Sequence, residues 1–266
     1  KALNLFDKAL EVDPEYEPSA QAVIHLRSES DEFGKVVATK QTLLKKTKDE
    51  KARHKLLLEI ADLYMDKLQD PETALDYFDE ALDINPDDHV TLHKVMEIFT
   101  NQERWDKVAE TVLRLAEIDD KDEIQSKYHY AAGVIFRDEI RDIDRALEEF
   151  EKALDLDYTN KSAEESIERI HTDEQGWKEL GRALRRQFKR LPEEGRKEEK
   201  VDLLQKMGDV YLNKLGEMET AMAAYEAAVS MDPSNPERNE VLAKLYVEAG
   251  PDKLEKAIEQ RQLILK

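Results

Sequence analysis

There is no cysteine among the 266 residues, which excludes disulfides, thiolate metal sites and cysteine nucleophiles and leaves the redox compartment open. Glycine and proline number only eight each, so turn formers are scarce, as they are in mostly helical proteins. No apolar run approaches the roughly 18 residues that a membrane span needs, so no membrane insertion is expected. Basic residues are in deficit, 41 against 61 acidic, for a net charge of −20. Such a balance opposes adsorption to nucleic acid or anionic lipid, and no nucleic-acid partner is expected. Also missing are a Gly-rich phosphate loop, a Ser/His/Asp order and a pair of carboxylates that converge on a cleft. The chain is therefore read as a non-enzyme with no cofactor, and a cytoplasmic location is favoured.

What the sequence does have is a repeat. Ala2, Phe6, Ala9 and Asp13-Pro14 return 72 residues on as Ala74, Phe78, Ala81 and Asn85-Pro86, and again as Ala146, Phe150, Ala153 and Asp157. After a further 75 they return as Ala221, Tyr225, Ala228 and Asp232-Pro233. Phe33, Trp105 and Trp177 keep the same 72-residue step. Self-similarity at a fixed period makes the fold a stack of similar units that complete one another's cores.

One period contains two helical hairpins. Leu57, Ile60, Ala61 and Tyr64 recur at helical spacing, Gln69-Asp70-Pro71 interrupts them, and Ala74, Phe78, Ala81 and Leu82 resume until Asn85-Pro86. Val95, Ile98 and Phe99, then Trp105, Val108, Val112 and Leu115, repeat the design. Small residues at 61, 133 and 208 let neighbouring helices approach closely, and the alanines of the next helix give it room to cross. This spacing predicts about fifteen helices: a leading helix at 2–13 and seven full hairpins. Turns are predicted near Pro14, Asp31, Pro71, Pro86, Gln102, Asp120, Asp142, Asn160, Glu174, Pro192, Gly216, Pro233 and Pro251. Trp105 and Trp177 are expected to be equivalent core residues.

These residues carry a resemblance. Ile60-Ala61-x-x-Tyr64 with Ala74, Phe78, Ala81 and Pro86 resembles the tetratricopeptide repeat, and Met207-Gly208-x-x-Tyr211 with Ala221, Tyr225, Ala228 and Pro233 matches it more fully. Ala132-Gly133-x-x-Phe136 with Ala146, Phe150 and Ala153 is similar but has Tyr158 in place of the proline. The alternate repeats are degenerate: His171 stands where Phe99 is aromatic, and Ile24 and Glu168 replace the small residue. The resemblance implies an all-α, right-handed α-solenoid over 1–266, a single tetratricopeptide solenoid whose first helices line a concave face. By position that face comprises Leu58, Asp62, Met65, Asp66, His93, Glu97, Tyr130, Val134, Arg137, Arg169, Gln205, Asp209 and Asn213. The set lacks the Lys/Asn pattern with which some members hold a terminal carboxylate. Its N-terminal half is acidic, which suits a basic or amphipathic segment of a partner.

Local charge reverses once, over 175–200, where Arg182, Arg185, Arg186, Lys189 and Arg190 cluster. A solvated face that attracts acidic neighbouring repeats is favoured there over a docking patch for an acidic partner. His89 and His93 lack a third ligand at a known spacing, and Asp155-x-Asp157-x-Thr159 lacks the glycine and glutamate of a calcium loop, so no metal site is assigned.

The expected function is a non-catalytic protein-interaction scaffold or adaptor. Two alternatives remain, the regulatory or sensing arm of an enzyme whose catalytic domain lies elsewhere and a self-assembling structural subunit. The sequence opens at Lys1-Ala2 inside a repeat helix, and its last helix keeps an apolar stripe through Leu254, Ile258 and Ile264. It is therefore read as part of a longer chain, with further repeats or a partner covering both ends.

Overall fold

The computed structural model describes residues 2–13 and 16–264, so the turn expected at Pro14 lies outside the described residues. Fifteen α-helices and no strand occur among the described residues. The chain divides into two compact units, Lys1–Ile118 and Asp119–Lys266. Unit 1 has a leading helix α1 (Ala2–Val12) and three hairpins: α2 (Glu17–Ser28) with α3 (Phe33–Lys46), α4 (Glu50–Asp66) with α5 (Pro71–Ile84), and α6 (His89–Asn101) with α7 (Trp105–Ile118). Unit 2 has four: α8 (Asp122–Ile135) with α9 (Ile143–Leu156), α10 (Lys161–Asp173) with α11 (Trp177–Arg190), α12 (Lys197–Val210) with α13 (Met218–Met231), and α14 (Pro236–Glu248) with α15 (Leu254–Ile264). The leading helix and seven hairpins are those expected from the repeat.

Each unit is a short α-solenoid with two rows of helices. In unit 1 the first helices α4 and α6 are joined by Lys94 and Asp62, and the second helices α3 and α5 by Gln41 Nε2, which donates to Tyr77 Oη at 2.7 Å. In unit 2 Lys206 bonds Glu168 across α12 and α10, while Arg186 bonds Glu151 across α11 and α9. The hairpins that carry the signature, α4–α5, α8–α9 and α12–α13, pack more closely than the degenerate α2–α3, α6–α7 and α10–α11. Their small residue explains it. A Cβ on Gly133 would lie 2.6 Å from Phe150, and one on Gly208 2.7 Å from Tyr225, so the space is filled by the crossing helix's ring. Ala61 and Phe78 hold the same positions in α4–α5, both fully buried.

The hairpin turns follow the repeat in backbone geometry. Gln69, Arg141 and Gly216 adopt φ of 56°, 64° and 67°, and in each case the residue after them donates its N–H six residues back, to the carbonyl of Tyr64, Phe136 or Tyr211. Before two of these turns the helix widens into one π-helical turn, at Phe136–Ile140 and Tyr211–Leu215. In α2–α3, α6–α7 and α10–α11, Asp31, Glu103 and Gln175 take φ of 54–55°, and the following N–H reaches only five residues back, to Arg27, Phe99 or His171. The turn that pattern reading omits is at Thr47–Asp49, between α3 and α4. It contains neither proline nor glycine and is closed by caps, with Asp49 accepting from the Ala52 N–H at 2.8 Å and Thr47 Oγ1 donating to the Leu43 carbonyl.

Two further expectations need adjustment. Trp105 and Trp177 are half-buried, at the edge of the core and not inside it, because each opens the first turn of a second helix. Lys214 covers the Trp177 ring at 4.7 Å, as Lys67 covers the equivalent Phe33 at 5.4 Å. At the outer helices Leu5, Val12, Leu254 and Ile258 are exposed.

Candidate functional site

In unit 1 the expected face is built by α4 and α6. Helix α4 is fixed by the Asp49 cap and by Leu57, Ile60 and Ala61, which are buried against its own hairpin and the one before. This orientation leaves Leu58 and Met65 half-buried and Asp66 exposed, with Asp62 between. On α6, His93 and Glu97 are exposed. The two helices bring the six residues onto neighbouring surfaces, and Lys94 Nζ donates to Asp62 at 2.5 Å between them. Lys94 also lies 5.7 Å from the Phe78 ring centroid. Lys40 bonds Glu59, and with Lys67 these groups border a small depression beside Asp62 and Asp66. The acidic character of this face is thus interrupted by three lysines that position counting along the first helices omits.

In unit 2 the expected residues divide between bonding within the fold and exposure. Tyr130 is half-buried against Phe150, ring centroids 5.6 Å apart, and Val134 is half-buried beside it in sequence. Arg137 is largely enclosed; it grips Asp138 through Nε and Nη2 at 2.7 and 2.8 Å and donates to Ser166 at 3.2 Å. The Arg137 bond holds the Asp138 carboxyl below its usual range. Asp209 accepts from Tyr225 Oη at 2.6 Å, and burial together with that carboxylate pushes the phenol well up. Gln205 accepts from Arg238 Nε at 3.3 Å. Arg169 and Asn213 are exposed. Arg137, Gln205 and Asp209 are therefore committed to joining neighbouring helices.

The basic cluster of α11 is similarly divided. Arg190 Nη2 reaches Glu151 at 2.6 Å and Asp155 at 2.7 Å, and Arg186 Nη2 meets Glu151 at 2.5 Å. Burial raises the Glu151 carboxyl, yet the two guanidinium groups outweigh it and leave the acid below its ordinary value. Arg182 is 3.5 Å from Glu179, and Arg185 and Lys189 are exposed. A second buried acid, Glu149, accepts from Lys152 and lies 2.6 Å from His129 Nδ1; burial raises it, while those two partners bring its net value down. No sequence signal announced this cluster, since Glu149 sits among the acids of a strongly charged helix.

Among the described residues no group of three His, Asp or Glu side chains is placed to hold a metal, and no helix is long and apolar enough to cross a membrane. The arrangement offers charged and apolar surface on helix rows, suited to recognition.

The last repeat of the signature type matches a known family profile. Residues 201–235, which span most of α12, its π-helical turn and all of α13, match the family profile described as tetratricopeptide repeat. That segment is a tetratricopeptide repeat by this match. Residues 54–170 match a second profile, described as the TT21 fifth ARM repeats domain. No curated protein matches the sequence. Solved structures similar to this chain include YrrB, described as a TPR protein with an unusual peptide-binding site, at 20% identity over 62% of this chain and 80% of that one, TM-score 0.38. A tetratricopeptide repeat protein from Parabacteroides merdae is similar at 13% identity over 94% and 97%, TM-score 0.39. The TPR domain of P58(IPK) is similar at 15% identity over 97% and 76%, TM-score 0.34.

Proposed function

We propose that the protein is a non-catalytic interaction scaffold whose first helices receive a basic or amphipathic segment of a partner protein. The observation that carries this reading is the unit 1 face. There Asp66 and Glu97 stand exposed on adjacent helices beside the half-buried side chains of Leu58 and Met65. Apolar side chains that are only half covered gain from further burial, while exposed carboxylates attract a cationic segment without leaving water. In unit 2, Tyr130 and Val134 offer apolar contact, with Arg169 and Asn213 exposed on the helices that follow.

The experiment is capture of the partner by the full-length protein, with crosslink mapping and two sets of variants. Reversal of Asp66 and Glu97 to Lys should slow association most at low salt, because rim charges are screened over a Debye length of about 8 Å at physiological ionic strength. Leu58→Ala should raise the dissociation rate at every salt concentration. Crosslinks confined to second helices, or indifference to both sets, would defeat the proposal.

A further inference from the structure

The repeat places an acid at one fixed position of its second helices, Asp7, Asp79, Glu151 and Glu226, at steps of 72, 72 and 75 residues. The first helix that follows carries Arg27, Phe99, His171 and Tyr246 at the same steps. Twice the two positions are joined by a hydrogen bond. Arg27 Nη2 donates to Asp7 at 2.7 Å between α2 and α1, and Tyr246 Oη donates to Glu226 at 2.7 Å between α14 and α13. Phe99 has no polar end to satisfy. At this place in the repeat, then, a carboxylate receives the polar end of the side chain that faces it.

His171 is the exception. Its carboxylate, Glu151, is taken by Arg186 and Arg190 of α11, at 2.5 and 2.6 Å. The imidazole is left without a hydrogen bond, although the residue is only 7% exposed. Burial pushes the ring's pKa down and outweighs Glu174, Glu179 and Glu151, which act the other way, so the ring is neutral at neutral pH and has one N–H to give. Leaving such a donor unmet is costly. The ring is not sealed in, however, because it lines a groove of about 450 Å³ between α9, α10 and α11. Half-buried Leu147 supplies apolar surface on the α9 wall. Most charges of the walls are already matched, Glu151 by Arg186 and Lys152 by Glu149. Arg182 is the loosest cation, exposed and 3.5 Å from an exposed Glu179. On the α9 wall Glu148 is exposed, so an acidic ligand is steered to the α11 side, where Lys178, Arg185 and Lys189 are exposed and have no ion pair.

We propose that this groove binds an acidic segment of a partner protein, one glutamate of which enters beside Leu147 and accepts from the His171 N–H and from Arg182. The partner thus supplies from outside the carboxylate that Asp7 and Glu226 supply from within the chain at the equivalent places. The glutamate's methylene stem suits the apolar wall, and acids that flank it lie toward the free cations of α11. The site is built from unit 2 alone and takes an acid where the face of α4 and α6 takes a base, so it stands apart from the reading given above.

The test uses the full chain with isotopically labelled histidine rings and two end-blocked peptides, Glu-Glu-Leu-Glu-Glu and Gln-Gln-Leu-Gln-Gln. The acidic peptide should bind, move the ring signals of His171 and raise the pH at which that ring titrates. The glutamine peptide should bind at least about tenfold more weakly, since a charge-assisted hydrogen bond is lost. His171→Phe, which installs the residue of the preceding block and identifies the His171 signals by their loss, should weaken the acidic peptide about tenfold. Arg182→Glu, at an exposed position, should do the same and carries the test if the first variant melts early. No binding of the acidic peptide, equal binding of both peptides, His171 signals that stay put at saturation, or full affinity in a folded Arg182→Glu protein would overturn the proposal. Asp66 and Glu97 play no part in it, so the fate of the unit 1 reading leaves this result independent.

Discussion

Gly133 and Phe150 occupy one space: a methyl group on the glycine would sit 2.6 Å from the ring carbon Cε1. Gly208 and Tyr225 repeat the relationship 75 residues on, at 2.7 Å. Gly133→Ala should therefore destabilise the α8–α9 hairpin by up to about 2 kcal/mol, since overpacking of about 1–3 kcal/mol is offset by the roughly 1 kcal/mol by which alanine is the better helix former. Urea unfolding of the full chain checks this. A midpoint that rises would mean that the ring gives way without cost.

Glu103→Gly should stabilise unit 1. Glu103 holds φ at 54°, a conformation that costs an L-residue roughly 1–2 kcal/mol, and it is exposed. Glycine's greater unfolded-state freedom takes back about 0.5–1 kcal/mol, so a net gain of about 0.5 kcal/mol is expected. Gln69 is a poorer position for the same substitution, because its side chain donates to the carbonyl of Asp66 at 3.0 Å. A rise of one or two degrees in melting temperature for Glu103→Gly, absent for Gln69→Gly, is the expected outcome.

Acid should loosen unit 2 through its enclosed carboxylates. Glu149 and Glu151 are both held below their ordinary value of 4.5 in the folded chain. Depressed acids contribute their stability above the unfolded value, and that contribution is lost as pH falls through the folded one. Unfolding midpoints should thus be level with respect to these groups above about pH 5 and fall steeply below about pH 4.5. Glu151→Gln should lower the neutral-pH midpoint and flatten the acid limb. An acid limb as steep as that of the parent would show that Arg186 and Arg190 do not hold this carboxylate.

Trp177→Ala should cost about 2 kcal/mol, below the roughly 3–5 kcal/mol of a fully packed aromatic, because its ring is half-buried at the edge of the cluster around Leu180 and Leu184. The emission of the Trp105→Phe protein, which then reports Trp177 alone, should lie between that of a buried and a solvated indole. Lys214→Ala should shift that emission, since the ammonium group lies over the ring.

The period of the sequence located fourteen of the fifteen helices' partners and the close helix pairs, because both depend on small and aromatic residues at fixed spacing. Thr47–Asp49 escaped it since side-chain caps close that turn, and caps look like ordinary polar residues in a charged chain. The alternating turn geometry was equally hidden: Gln69, Arg141, Asp31, Glu103 and Gln175 are not glycine, so composition gave no hint of their left-handed backbone. At the candidate site, helix positions were readable but charge pairing was not. Lys94 reaches Asp62 from a helix 32 residues further along, and no local spacing announces that bond.

The connector between α11 and α12 is three residues longer than its counterpart between α3 and α4, and the turns within hairpins keep their geometry on either side of it. Growth and loss of material are thereby confined to joints. In a protein organised this way the equivalent connectors are the places at which a whole block of two hairpins would be excised or duplicated with each hairpin's own turn left intact.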